Sequence, residues 1–395
     1  MTAEAPSSVA LLGQDTVLFP WDNATPRRGF VSMLPIALAL ILGRLTGHPA
    51  AGSIAAGTAF TVGFAVFHEA LASSLLSMAV LTVSVTVATY LGSLAAPYPA
   101  LTMALVAMAA VNYGLLSGLG PTSGWIGQQA GVFLIISSGI LQGHGMAAGR
   151  AAMSALGGVL QMLTLMAARL VLTPLLERLP PLPPGERPSG TRRFLMAITG
   201  HHSSRNAPLW RQLVTRAEQL GRGLRKELHW NADITGYVLR LAFVLLVTTG
   251  VERHYHLGNG YWSPMTALLV LKPRWASTLS RGIARLIGTL AGVLIALLLY
   301  WLHPLNGHML LLWALLMVWA CYWLQNVNYA TFSCALTLYT VFSFRIGGFS
   351  QSHAAALRLM NTAIGGGVAL LIDALWKWAT PWSSAAPAED ALRKR

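Results

Sequence analysis

The chain has 395 residues, of which 54% are hydrophobic and 10% charged, with a net charge of +14 and a mean hydropathy of +0.56. Soluble domains carry about a quarter of their residues as charges, so this composition excludes an ordinary soluble enzyme. It also excludes a soluble basic domain that would bind nucleic acid. Runs such as 71–96, 99–116 and 288–302 contain no charged residue, and about 20 apolar helical residues suffice to cross a bilayer core.

In chain order, residues 1–29 form a cytoplasmic N-terminal segment. Glu4, Asp15 and Asp22 stand ahead of the first apolar run, where a secretory signal would carry basic residues. Residues 30–178 read as six transmembrane helices, Phe30–Leu45, Ala50–Phe67, Leu71–Ala95, Pro99–Leu119, Trp125–Leu141 and Ala147–Leu172. Residues 179–235 form a cytoplasmic linker. Its first part, 179–204, is rich in Pro, Gly and Ser, as flexible connections are. Its second part, 208–228, spaces Leu209, Leu213, Ala217, Leu220, Leu224 and Leu228 at helical intervals, with arginines largely elsewhere on the helix. That pattern suits a basic amphipathic helix, either on the inner leaflet or packed against protein. Residues 236–380 supply six more helices, Gly236–Val251, Gly258–Leu271, Arg281–Leu302, Met309–Leu324, Val327–Phe344 and His353–Ala379. Residues 381–395 form a cytoplasmic tail. The predicted fold class is therefore all-α, a polytopic membrane protein of about twelve transmembrane helices.

Basic residues orient the chain, because Lys and Arg accumulate in short cytoplasmic loops. Arg27 and Arg28, the arginine-rich linker, Lys272 with Arg274 and Arg281, and Arg393 to Arg395 all fall on one side of this map. Both termini are thus expected in the cytoplasm, and the cell inner membrane is the expected location.

The chain also matches itself. At a constant shift of 208 positions His48 falls on His256, Gly52 on Gly260, Thr58 and Ala59 on Thr266 and Ala267, and Gly139 on Gly347. Arg150, Ser154, Gly157 and Gly158 fall on Arg358, Thr362, Gly365 and Gly366, and Arg169 falls on Lys377. With an even number of spans per half, the copies share one orientation. The expectation is a parallel repeat about an axis along the membrane normal. Cys321 and Cys334 lie in apolar runs and read as packing residues.

The stretch from Tyr261 to Pro273 (YWSPMTALLVLKP), continuing through Thr278, Arg281, Arg285, Gly288, Thr289 and Gly292, resembles the signature of the fusaric acid resistance family, also called the aromatic acid exporters. The opening Val17-Leu18-Phe19-Pro20-Trp21 is similar to family N-termini. The first half matches poorly, since His68-Glu69 stands in place of the Lys-Pro turn. Longer members carry a large cytoplasmic domain that is absent here. The resemblance implies efflux of aromatic carboxylic acids or related toxic compounds. The chain is also similar to fused pairs of plant aluminium-activated malate transporter subunits, which surround an anion pore.

Ionisable residues inside spans are costly and mark functional candidates. Arg150 and Arg358 lie near the outer ends of the sixth and twelfth spans, where orientation rules disfavour positive charge. Ser154 and Thr362 follow one helical turn below, and the Gly-Gly pairs another turn below. Each Arg either offers its fork of donors to a carboxylate or snorkels to the headgroups. Trp262 and Thr266 are candidates to line the path, with an interfacial anchor as the other reading of Trp262. Lys272, Arg274, Arg281 and Arg285 are a candidate cytoplasmic vestibule that would concentrate anions, or simply follow the positive-inside bias. Glu69 and Asp373 are proton-coupling candidates; Asp373 could equally pair with Lys377. Gly288 and Gly292 suit a helix contact. His48 and His256 are weak candidates for pH sensing, and His201-His202 reads as solvated.

Two function classes remain. One is a transporter exporting small organic anions by a path between the halves, as carrier or as channel-like pore. The other is a non-transporting structural subunit of a cell-envelope assembly. No nucleotide-binding loop, metal-ligand cluster or nucleophile–base pair occurs in the spans, so no catalysis, cofactor or metal is expected. The expected partners are the lipid bilayer and the anion, with a periplasmic adaptor, an outer-membrane channel and a second copy of the chain as further candidates.

Overall fold

The computed structural model describes residues 8–23, 26–65, 71–140, 146–178, 232–302, 306–346 and 350–379. They form helices throughout, with no strand among the described residues. A short helix α1 (Ser8–Thr16) and a turn of 3-10 helix at Trp21–Asn23 precede two sets of six. The first set is α2 (Pro26–Leu45), α3 (Pro49–Gly63), α4 (Leu71–Ala95), α5 (Pro99–Gly118), α6 (Pro121–Ser138) and α7 (Met146–Glu177). The second is α8 (Ala232–His254), α9 (Trp262–Val270), α10 (Trp275–Leu302), α11 (Gly307–Leu324), α12 (Tyr329–Ile346) and α13 (Gln351–Ala379). Proline at the first helical position starts α3, α5 and α6, where a missing N–H costs nothing. Asn306 caps α11 by accepting from the Met309 amide at 2.9 Å.

Polarity is inverted relative to a soluble protein. Val83, Met108, Leu163, Leu170, Leu294, Leu298 and Leu371 are exposed, while Arg150, Arg240, Arg285, Arg358, Asp373, Gln128 and Gln161 are buried. Lipid is as apolar as leucine, so the outward face needs no polar cover and polar side chains collect inside. Seven helices among the described residues are long and apolar enough to cross a membrane, including α10 with 28 residues and α13 with 29. The chain is an all-α multi-pass membrane protein.

The main packed pairs in the first set have counterparts in the second. Helix α4 lies on α6 and α7, α5 on α6, and α3 on α7; likewise α10 lies on α12 and α13, α11 on α12, and α9 on α13. The sets meet reciprocally as well, α2 against α11 and α8 against α5. Small residues permit the closest approaches. A Cβ on Gly157 would stand 2.1 Å from the Ala55 carbonyl oxygen, and one on Gly365 would stand 2.1 Å from that of Ser263. These contacts occupy equivalent places at the 208-residue shift.

The span expected over Gly258–Leu271 differs from the structure. Helix α9 has only nine residues, about 14 Å at 1.5 Å per residue. The chain turns extended at Leu271, because the residue before a proline is driven out of helical geometry, and here that residue is Lys272. The exposed carbonyls are recaptured by α8: the Tyr237 hydroxyl donates to Leu271 O at 3.3 Å, and Arg240 donates to Lys272 O at 3.1 Å and Pro273 O at 2.9 Å. Irregular backbone within a bundle needs such partners.

The N-terminal segment is docked. Helix α1 lies across α10 and α12. Asp15 accepts from the Ser280 hydroxyl and approaches Arg281 Nε at 3.9 Å, and Asn328 Nδ2 donates to Leu18 O at 3.1 Å. Phe19, Trp21 and Trp323 stack in sequence, with centroids 5.5 and 5.9 Å apart.

Candidate functional site

Helices α9, α10 and α13 bring together the second-half candidates. Arg358 is on α13 and is 1% exposed. Its guanidinium lies over Trp262 of α9 at 5.1 Å, a cation–π contact strengthened by the loss of water. Trp262 itself is 3% exposed, so it is a wall of this site rather than an interfacial anchor. Arg285, on α10, is also 1% exposed. That placement corrects the vestibule expected from sequence, because Arg285 sits ten residues inside its helix and deep in the protein. Its three guanidinium nitrogens, and Nε and Nη1 of Arg358, have no hydrogen-bond acceptor among the described residues. The two groups lie close enough to repel one another. Around them the hydroxyls of Ser263, Thr266, Thr289 and Thr362 are buried and lack a partner among the described residues.

Buried arginines normally come with a carboxylate, because an uncompensated buried charge costs several kcal/mol, about 3–5 where one partner of a pair is deleted. The carboxylates whose side chains are described are engaged elsewhere or lie apart. Asp373 Oδ1 meets Arg240 Nη1 at 2.6 Å, deep between α13 and α8. Lys377 is also within electrostatic reach of Asp373, and its Nζ lies 6.0 Å from the Trp275 ring centre. Asp15 is held by Ser280 and Arg281. Glu252 packs its Cγ against Gly260, and Asp22 is exposed. Glu69, with His68, lies outside the described residues, as does the linker 208–228.

Arg281 extends the basic row toward the α10 N-terminus, its guanidinium 4.2 Å from the Tyr329 ring centre. Lys272 donates to the Tyr113 hydroxyl of the first half at 3.3 Å, and with Arg274 it is half-buried. Of the expected vestibule, Lys272, Arg274 and Arg281 thus remain near one end of the bundle. Toward the other end, Tyr261 is within electrostatic reach of both Arg358 and Arg150. Arg150, 7% exposed, points into protein and reaches Ser137 O at 3.5 Å. Neither arginine of the repeated pair snorkels.

The first half differs at the equivalent positions. Thr58 and Ser154, counterparts of Thr266 and Thr362, share a hydrogen bond of 2.9 Å. Ser77 stands at the place of Arg285 and Ile54 at that of Trp262. The surface between the halves is aromatic: Phe60 of α3 and Phe64 just past its end pack against Tyr322 at 5.5 and 4.7 Å, and Phe64 meets Phe332 at 6.1 Å. Polar stitching flanks it, with Tyr322 donating to Phe60 O at 2.8 Å, Gln128 to Leu268 O at 3.1 Å, and Arg253 to Ala96 O and Ser138 O at 3.2 and 3.1 Å.

Sequence reasoning passed over Arg240, Tyr261, Ser263 and Thr289. Arg240 carried a signal, being an arginine in the middle of an apolar span. The hydroxyls carried none, since Ser and Thr are ordinary in membrane helices. Gly288 and Gly292 meet α12 closely, at the carbonyls of Ala330 and Cys334, as a helix contact requires. His256 stands in an exposed turn with φ 47°. Cys321 is buried and Cys334 half-buried. No group of three or more His, Cys, Asp or Glu positioned for a metal occurs among the described residues.

An all-helical membrane bundle with buried, unneutralised arginines defines the class. Residues 241–372, which hold α9 to α12 and most of α8 and α13, match the family described as fusaric acid resistance protein-like. An uncharacterized protein of Haemophilus influenzae is 25% identical over 171 residues, covering 43% of this chain and 24% of its own length. The inner membrane protein YccS of Escherichia coli is 29% identical over 149 residues, and the uncharacterized protein YhfK of the same organism is 30% identical over 146. Each of those two matches covers 37% of this chain and 20% of the relative. The matches thus span about a quarter or less of these relatives. No solved structure matches the chain.

Proposed function

We propose that the protein moves small organic anions, aromatic carboxylic acids or related compounds, out of the cytoplasm across the inner membrane. The observation that carries this reading is the pair Arg285 and Arg358, both 1% exposed and with no carboxylate against them among the described residues. Charge inside a membrane span is costly and marks a functional position by default, an ion or substrate path among others. With Arg281 below and Tyr261 and Arg150 beyond, the pair belongs to a row of cationic and hydroxyl groups running along the bundle. The row runs through the second half and reaches the first at Tyr261. The near-complete burial of both arginines suits a carrier in an occluded conformation better than an open pore. The family match over 241–372 and the inner-membrane location in the name of one relative support the reading.

Liposome flux of a panel of aromatic and aliphatic carboxylates, with and without a pH gradient, tests it. Arg358→Gln should lower apparent anion affinity by about 10- to 100-fold, the value of one charge-assisted contact. Arg358→Lys should rescue only in part, because an ammonium lacks the planar fork. Wild-type flux in both variants would remove Arg358 from the path. One observation favours a second reading, that of a structural subunit: the aromatic surface between the halves is closely packed. On that reading no carboxylate in the panel moves.

A further inference from the structure

The two halves offer equivalent positions for an anion, yet only one is built to hold it. In the first half the hydroxyls of Thr58 and Ser154 satisfy each other at 2.9 Å, and Ser77 places no charge beside them. Arg150 is satisfied in part by the Ser137 carbonyl. In the second half the corresponding hydroxyls, Thr266 and Thr362, have no partner among the described residues, and neither do Ser263 and Thr289. Arg285 replaces the serine, so two guanidinium groups repel each other there with no counter-charge among the described residues. Asp15, Asp22, Glu252 and Asp373, the carboxylates whose side chains are described, are engaged or placed elsewhere.

We infer that each chain binds one anion, in the second half only, and that Arg285 makes this site select a doubly charged anion over a singly charged one. The first-half position is a filled copy that binds none. The argument is charge balance in a medium where Coulomb energies are large. One carboxylate between Arg285 and Arg358 leaves a net buried positive charge; a second carboxylate removes it. The loose hydroxyls supply donors for the remaining lone pairs, and Trp262 with Phe344, whose rings lie 5.1 Å apart, walls the site on one side. This inference rests on the proposed anion-handling role and adds stoichiometry and charge selection to it.

Phthalate and benzoate share a ring and differ by one carboxylate, so they isolate the second charge. Titration calorimetry on the full chain in neutral-lipid nanodiscs, without any gradient, should give one phthalate per chain and at least about tenfold tighter binding of phthalate than benzoate. Arg285→Ser, the residue found at the first-half position, should lower the phthalate-to-benzoate ratio by at least about tenfold. Arg285→Lys should keep most of the ratio, because the selection comes from charge. Thermal unfolding supplies an independent readout. Arg285→Ser should melt higher than wild type without ligand, since it removes a repelling buried charge, and should lose most of the upward shift that phthalate produces. Two sites per chain, equal affinity for the two acids, or an unchanged ratio in Arg285→Ser would overturn the inference. Phthalate binding as expected but no flux of any carboxylate would support this site and sink the transport reading alone. Flux of benzoate with no preference for phthalate would do the reverse.

Discussion

At the scale of single residues, the buried charges divide into those ion-paired and those without an opposite charge among the described residues, and the two kinds should respond oppositely to mutation. Arg240 and Asp373 form a closed pair at 2.6 Å, with Arg240 also bonded to two backbone carbonyls of the broken turn. Replacing Asp373 by Asn leaves a buried guanidinium without its anion and should cost about 3–5 kcal/mol. Exchanging both for Leu should recover much of the charge penalty but not the turn's carbonyl bonds, so the double variant should unfold between the single variant and wild type. A melting series in detergent reads this order; a double variant no more stable than Asp373→Asn would mean the charge penalty is not the dominant cost. The same logic explains what the sequence shows at this scale. Arg358 stands out because the repeat preserves it and because it lies where orientation rules disfavour it. Asp373 stands out as a charge in a span. Its partner is not legible, since Arg240 sits 133 positions away and only the docking of α8 on α13 unites them, while Lys377 one turn along is the nearer partner in sequence.

At the scale of elements, the helix contacts rest on absent side chains as much as on present ones. On α13, Gly365 lies against the Ser263 backbone, whereas a Cβ at Gly367 would meet nothing within 4 Å. Gly365→Ala should therefore push α9 from α13 and destabilise by about 1–3 kcal/mol, as overpacking does. Gly367→Ala should be neutral or slightly stabilising, because alanine is the better helix former. Equal melting temperatures for the two variants would contradict the close approach. Helix α1 is a second case. Its first-turn neighbours give no cue that it docks, and the segment reads from sequence as a simple cytoplasmic lead-in. In the structure it is fastened by Asp15 to Ser280 and Arg281 and by Leu18 to Asn328. Asp15→Ala should free it, so that limited proteolysis in detergent cuts within 8–23 faster than in wild type, with the rest of the chain unaffected. Long apolar helices such as α4, α5 and α10 were readable because apolar length is a strong signal. The early end of α9 was less so. The Lys272-Pro273 pair marks a break, but apolar residues continue up to it, and hydropathy alone extends the span to Leu271.

At the scale of the whole molecule, a duplicated sequence need not give a duplicated function. Packing is repeated pair by pair, from α4 on α6 and α10 on α12 to the reciprocal contacts of α2 with α11 and α8 with α5. The unpaired polar groups are not repeated; among the candidate positions they gather in the second half, which also carries the family match. Close helix packing pairs Gly157 with Gly365, while Ser77 stands opposite Arg285 across the same alignment. The shift of 208 positions shows the first kind of symmetry directly. It cannot show the second, because the loss of a site appears only when hydroxyl partners such as Thr58 and Ser154 are seen to bond. Orientation is the remaining property of the whole chain, and it follows from both. If the halves are parallel copies, an even number of crossings lies between equivalent points, and His48 and His256 must face the same side. The basic row then fixes which side that is. Lys272, Arg274 and Arg281 stand at one end of the bundle and His256 at the other, so positive-inside bias would place the first group in the cytoplasm. Single cysteines at Gly47 and Tyr255, introduced after Cys321 and Cys334 are replaced, should both react with a membrane-impermeant maleimide applied from outside. Cysteines at Arg187 and Ser383 should react only after permeabilisation. Labelling of Gly47 and Tyr255 from opposite sides would rule out parallel halves, and outside labelling at Arg187 would invert the chain and turn the proposed export path into one for uptake.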